Sequence, residues 1–105
     1  MDQDFVKSIA VSALSKRVYN KCVLKWRIEP NGSIILSTSF PVIDLFFLNQ
    51  RASSVFLLLD GRRIILEIID YLASYNGIAN RDDIESDVIK TIRYLESVGA
   101  IKKCV

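Results

Sequence analysis

The chain has 105 residues, one small domain's worth of sequence, and half of them are hydrophobic. That is enough apolar material for one core without metal or disulfide help, and too little chain for a barrel or a full dinucleotide-binding fold. There is no histidine, which removes the commonest general base and metal ligand, and the net charge of +2 is too mild to announce a nucleic-acid binder.

The charge is unevenly spread. Residues 1–28 carry six basic groups against Asp2 and Asp4, whereas the remainder carries eight basic and ten acidic groups. The basic end suits an acidic partner, nucleic acid or a membrane surface, though scattered charge of this kind is commonly a solvated face. Cys22 and Cys104 are far apart in sequence and form no CxxC pair. No signal-peptide pattern opens the chain, and no apolar run approaches the ~20 residues of a membrane span. A cytoplasmic protein with reduced thiols and no cofactor is the expectation.

In chain order, residues 4–18 place Phe5, Ile9 and Ala13 on a thin helical stripe with Val6 and Ala10 a step round. Residues 22–29 alternate, with Leu24, Trp26 and Ile28 on one face and Lys25, Arg27 and Glu29 on the other, which predicts a half-buried strand. Asn31-Gly32 predicts a two-residue type I′ hairpin turn, and 34–38 the returning strand. The Asn31-Gly32-Ser33 triplet matches a glycosylation acceptor, but without secretion it reads as that turn. Pro41 separates this hairpin from a third strand over 42–48, apolar apart from Asp44. A three-stranded antiparallel meander is the economical arrangement.

The period then changes. Residues 50–59 place Ala52, Val55, Phe56 and Leu59 at helical spacing, with Asn49 as N-cap and Asp60-Gly61 as the stop. Residues 63–75 predict a second helix with Ile65, Ile68, Ile69 and Leu72 on one face, ended by Asn76-Gly77. Residues 81–98 predict the third and clearest helix. Its core stripe is Ile84, Val88, Thr91, Leu95 and Val98, widened by Ile92, with Asn80 as N-cap and Gly99 as terminator. Acidic side chains crowd its first turns, where they complement the helix dipole. The last two helices have helix-turn-helix character. The expected architecture is therefore α+β and winged-helix-like: a three-stranded antiparallel sheet followed by three helices, with an extra N-terminal helix. Residues 1–21 read as a basic helix or arm and 22–105 as the domain.

Catalytic constellations are missing. No serine has a histidine to activate it, no GxSxG elbow is present, and no glycine-rich loop is spaced to cradle phosphate. Asp83 and Asp87 share a helix face, but compensation of the dipole explains them better than a cation does. The expectation is that the protein is not an enzyme. Two features favour binding. The strand over 42–48 ends the meander as an edge, and little inside it blunts pairing with an added strand. On the third helix, Ile89 falls outside the core stripe, Ile92 lies on its margin, and Tyr94 and Lys90 flank the opposite side, which suggests one wall of a groove whose other wall is the edge strand.

Leu48-Asn49-Gln50-Arg51-Ala52, Leu58-Leu59-Asp60-Gly61-Arg62-Arg63, Glu67-Ile68-Ile69, Asp87-Val88, Leu95 and Gly99-Ala100-Ile101, in this order and spacing, resemble the PqqD family over roughly residues 22–103. The resemblance implies a three-stranded sheet followed by three helices, in a peptide chaperone or RiPP recognition element. Such a domain binds the leader of a ribosomally made precursor peptide and presents it to a modifying enzyme, often a radical SAM protein. On this sequence the leader-binding strand implied by the resemblance is Val42, Ile43, Asp44, Leu45, Phe46 and Phe47. The implied helix wall is Ile89, Lys90, Ile92, Arg93 and Tyr94. Asp44 departs from a plain apolar edge and is suited to a basic leader residue. The first 20 residues are not part of the family pattern.

Two rival readings stand beside this one. A DNA-binding winged helix would use the third helix for recognition, but Asp82, Asp83, Glu85, Asp87 and Glu96 on that helix repel phosphate. A docking subunit would fold against a larger enzyme without touching peptide. An exposed strand edge also suits a homodimer.

Overall fold

The computed structural model describes residues 14–22, 25–38, 44–75 and 80–104. The predicted N-terminal helix over 4–18 lies outside the described residues up to position 13. Within them, the Arg17 amide donates to Leu14 O at 2.9 Å to close a turn, and Val18 already opens a strand. The described elements are β1 (Val18–Lys21), β2 (Lys25–Ile28), β3 (Ile34–Thr38), β4 (Asp44–Leu48), α1 (Gln50–Leu58), β5 (Asp60–Ile64), α2 (Ile65–Tyr75), α3 (Arg81–Ser97) and β6 (Ile101–Lys103). The architecture is α+β, with two three-stranded antiparallel sheets and three helices among the described residues.

The meander is present as expected. Its order is β2-β3-β4, with Trp26 opposite Leu36 and Leu36 opposite Phe46. Paired residues share a face. Ile28, Ile34 and Leu48, then Trp26, Leu36 and Phe46, therefore point inward, while Arg27, Ile35 and Phe47, then Lys25, Ser37 and Leu45, point outward. The inward face is covered unevenly. Ile34, Leu36 and Leu48 are buried, but every residue of β2 is exposed, including Trp26, which meets the Phe56 ring edge-on at 5.4 Å.

The turn between β2 and β3 differs from the two-residue form. The Glu29 amide donates to Ser33 O and the Gly32 amide to Glu29 O, and only Gly32 has a positive φ, at 86°. This is a three-residue loop, Pro30-Asn31-Gly32, built as a turn followed by a left-handed glycine. Pro30 at the first loop position presets the turn's φ, and the Asn31 side chain accepts the Ser33 amide at 3.0 Å, so Asn31 need not adopt a positive φ itself.

A second sheet, β5-β1-β6, adds to the meander that periodicity predicts. β1 is its central strand, so residues 18–21, assigned by sequence to an arm, are tied on both sides to the rest of the chain. Asp60-Gly61 is likewise not a helix stop. α1 ends at Leu58, with Leu59 as its C-cap, and Asp60 begins β5. The Asp60 carboxylate accepts the amides of Arg62 and Arg63, each at 3.0 Å, and Gly61 takes a φ of 79° beside Asn20, where a Cβ would come within 3.0 Å of the Asn20 amide nitrogen. The glycine thus serves a bend in a strand pair rather than a helix end.

The helices begin and end largely as their caps dictate. Asn49 accepts the Ala52 amide at 2.8 Å and Asn80 accepts the Asp82 amide at 2.7 Å. α2 starts at Ile65 rather than 63 because Arg63 and Ile64 belong to β5; the Glu67 carboxylate accepts the Ile64 amide at its start. At the end of α3, the Ala100 amide donates to Leu95 O and the Gly99 amide to Glu96 O, the paired bonds of a Schellman motif. The Asn76-Gly77 stop lies outside the described residues. One core joins all of this: Tyr19 and Ile101 from the second sheet pack with Ile34, Leu36 and Leu48 from the meander and with the inner faces of the three helices.

Candidate functional site

β4 and β2 are the two outer strands of the meander among the described residues, and their sequences treat that position differently. β2 carries Lys25 and Arg27, charges that oppose edge-to-edge pairing. β4 carries Leu45, Phe46, Phe47 and Leu48 after a single Asp44 at its start. Among the described residues no further strand pairs with its outer side, which runs along an apolar strand.

The turn from β4 into α1 fixes where this edge lies. Ser53, buried in α1, accepts the Ile34 amide at 2.8 Å and donates to Leu48 O at 3.3 Å. One hydroxyl thereby binds the end of β4, the start of β3 and the helix. Arg51, at the start of α1, pairs with Asp87 of α3 at 3.3 Å. Phe46 then meets Tyr94 of α3 edge-on, with ring centroids 6.3 Å apart. These contacts set β4 beside α3 with the two running in opposite directions.

The wall that α3 presents to β4 is not the one expected. A helix turns about 100° per residue, so Lys90 lies about 40° to one side of Tyr94 and Asp87 about 20° to the other. Ile89 and Ile92 lie about 140° and 160° away, on the side that packs toward the other helices. Ile92 is fully buried in the core, and Ile89 is 6% exposed. Neither is free to line an open wall, and Arg93, exposed, is turned about 100° from Tyr94. Of the five helix residues named by sequence, Tyr94 meets the strand through Phe46, and Lys90 is exposed on the solvent side of the helix. Of the six strand residues, Val42 and Ile43 lie outside the described residues. Asp44 and Phe46 point to the α3 side, and Leu45 and Phe47 point to the opposite face of the sheet.

That opposite face is itself apolar. Leu45 is 60% and Phe47 70% exposed, and with Ile35, Ser37, Lys25 and Arg27 they line an open depression of about 670 Å³. Sequence reasoning grouped Leu45 and Phe47 with Phe46; strict alternation along β4 was the signal that separates them.

Among the described residues no group of three or more His, Cys, Asp or Glu side chains is placed to hold a metal ion. Cys22 and Cys104 are both free, beyond opposite ends of the β1–β6 ladder. No described helix is long and apolar enough to cross a membrane. Compared with protein-family models, curated proteins and solved structures, the chain gives no match.

Proposed function

We propose that this protein is a peptide-binding chaperone of the winged-helix, PqqD-like kind, which captures the leader of a ribosomally made precursor by strand addition at β4. It presents that leader to a modifying enzyme, of which a radical SAM protein is the type implied by the sequence resemblance. The observation that carries the reading is the pairing of an unblunted, apolar edge with an aromatic contact across to α3, Phe46 on Tyr94. An added strand gains backbone bonds from the edge and side-chain contacts from the apolar residues of β4 and from Tyr94 beside it. The contrast with β2, whose edge carries Lys25 and Arg27, supports β4 as the acceptor.

The test is an amide NMR titration of the labelled full chain with the N-terminal half of a short peptide encoded beside its gene. Shifts concentrated in Asp44–Leu48 and Lys90–Tyr94 support leader capture. A flat titration at millimolar peptide, or shifts confined to β2, removes it.

A second reading, a docking subunit that holds a larger enzyme without touching peptide, is favoured by one observation: the exposed Leu45 and Phe47 on the outer face of the sheet. The two readings separate in a pull-down. Phe47→Glu releases a docked enzyme and spares peptide shifts on the α3 side if the outer face is a docking surface.

A further inference from the structure

An antiparallel sheet with one packed face and one wet face alternates apolar and polar residues along each strand. β4 breaks that rule, because its outward residues are Leu45 and Phe47, both exposed. The register sets them in two rows across the outer face of the meander. Arg27 lies opposite Ile35 and Ile35 opposite Phe47; Lys25 lies opposite Ser37 and Ser37 opposite Leu45. The face is therefore divided lengthwise, with two large apolar side chains on β4 and two cations on β2, about 10 Å away across the three strands. Along each strand the rows are about 7 Å apart. These six residues line the open depression, and among the described residues that line it none carries a carboxylate. Lys25 is exposed and has no ion-pair partner among the described residues. Glu29, just past β2, accepts from Arg27 Nε at 2.8 Å, which steadies the guanidinium and leaves its terminal nitrogens open to a second acceptor.

We propose that this face receives an acidic amphipathic helix of a partner protein, its apolar stripe on Leu45, Phe47 and Ile35 and a file of carboxylates over Lys25 and Arg27. The inference is independent of leader capture at the β4 edge. It rests on the reading of the outer face as a docking surface and names the chemistry of what docks. A helix with its side chains is about 10–12 Å across, the breadth of the three strands. Residues i and i+4 of a helix lie on one side about 6 Å apart along its axis, close to the step between the two rows. Two glutamates at that spacing meet both cations while leucines on the adjoining stripe cover β4. A strand laid flat on this face would find no partners for its backbone N–H and C=O groups, whereas a helix satisfies its own. The cations also fix the sign of the partner. A purely apolar helix would cover them without a counter-charge, and a basic one would be repelled.

Two capped synthetic peptides test the chemistry: the heptad Leu-Glu-Gln-Leu-Ala-Glu-Gln twice over, and the same sequence with every Glu replaced by Lys. As helices, both place leucines on one stripe and the charges on one flank of it. Each is titrated into the labelled full chain at low salt, where exposed ion pairs are least screened. The acidic peptide is expected to shift the amides of Lys25–Arg27, Ile35–Ser37 and Leu45–Phe47, and to bind about fivefold or more tighter than the basic one. In the double variant Lys25→Glu, Arg27→Glu the preference is expected to invert, and in Lys25→Glu alone to narrow, with an otherwise unchanged amide spectrum showing that the fold is kept. Equal affinity of the two peptides, with shifts still on the outer face, overturns the acidic partner and leaves an apolar docking face standing. A preference that survives the double variant does the same. No outer-face shifts with either peptide overturns the inference together with the docking reading, while leader capture stands or falls separately on shifts along the β4 edge and at Tyr94.

Discussion

Ser53 and Asp60 show how much of this fold hangs on single polar side chains. The Ser53 hydroxyl is buried and bridges Ile34 N–H and Leu48 O, two backbone groups of different strands. Ser53→Ala leaves a buried amide without its partner, and the expected cost is about 1–3 kcal/mol, read as a lower denaturant midpoint with unchanged slope. Asp60 acts through its charge. Amide donation from Arg63 and Arg62 holds its carboxyl below its ordinary pKa. A carboxyl depressed in the folded state lends stability above its unfolded pKa and loses it as the pH falls through the folded value. The Asp60→Asn variant is therefore expected to be less stable than the parent near neutrality and to converge with it in acid, in chemical denaturation run across that range. Neither role was legible in advance. A serine inside an apolar helix pattern and an Asp-Gly pair each have several local readings, and the strand partners that choose between them lie elsewhere in sequence.

At the level of the element, β4 and α3 carry the functional argument. The existence of both was legible, because period-two and period-3.6 patterns are local. The faces were partly legible. Ile84, Val88, Thr91, Ile92 and Leu95 are buried as the stripe predicts, but Ile89 is buried as well. An apolar residue outside a stripe suits either a lone exposed position or a groove wall, whereas here it broadens the packed side of α3. The direction in which β4 lies from α3 is set by Phe46–Tyr94 and Arg51–Asp87, contacts that no periodicity contains. Leu45 and Phe47 on the outer face make a separate prediction. Leu45→Lys with Phe47→Lys is expected to leave thermal stability within about 0.5 kcal/mol per site, because both side chains are exposed. The same change is expected to lower any concentration-dependent self-association seen by analytical ultracentrifugation, since it removes an apolar patch.

For the molecule as a whole, the two sheets share one core. Tyr19 from β1 is fully buried among the same residues that receive Leu36 from β3 and Leu95 from α3. Unfolding is therefore expected as one transition. Trp26, the only tryptophan and seated against Phe56, reports the meander, and its fluorescence is expected to change together with far-UV circular dichroism. Tyr19→Ala is expected to cost about 3–5 kcal/mol, as removal of a large buried aromatic does, and to shift both signals equally. If the second sheet were an independent appendage, the variant would split the two signals.

Local signals in the chain account for half of this protein: three helices, two of them opened by Asn caps, a meander of three strands, and an apolar strand with one aspartate at its start. Those features follow from side-chain periodicity, capping chemistry and glycine's access to positive φ, all of which act within a few residues. Long-range packing set the remainder. It paired Val18–Lys21 with Asp60–Ile64 and Ile101–Lys103 across separations of 40 and 80 residues or so, made Gly61 a bend beside Asn20, and set Tyr94, rather than Ile89 or Ile92, against Phe46 of the open strand. Short strands such as these carry too few side chains to announce themselves by pattern. They form because the shared core brings their backbones together, where unpaired amides and carbonyls must find partners.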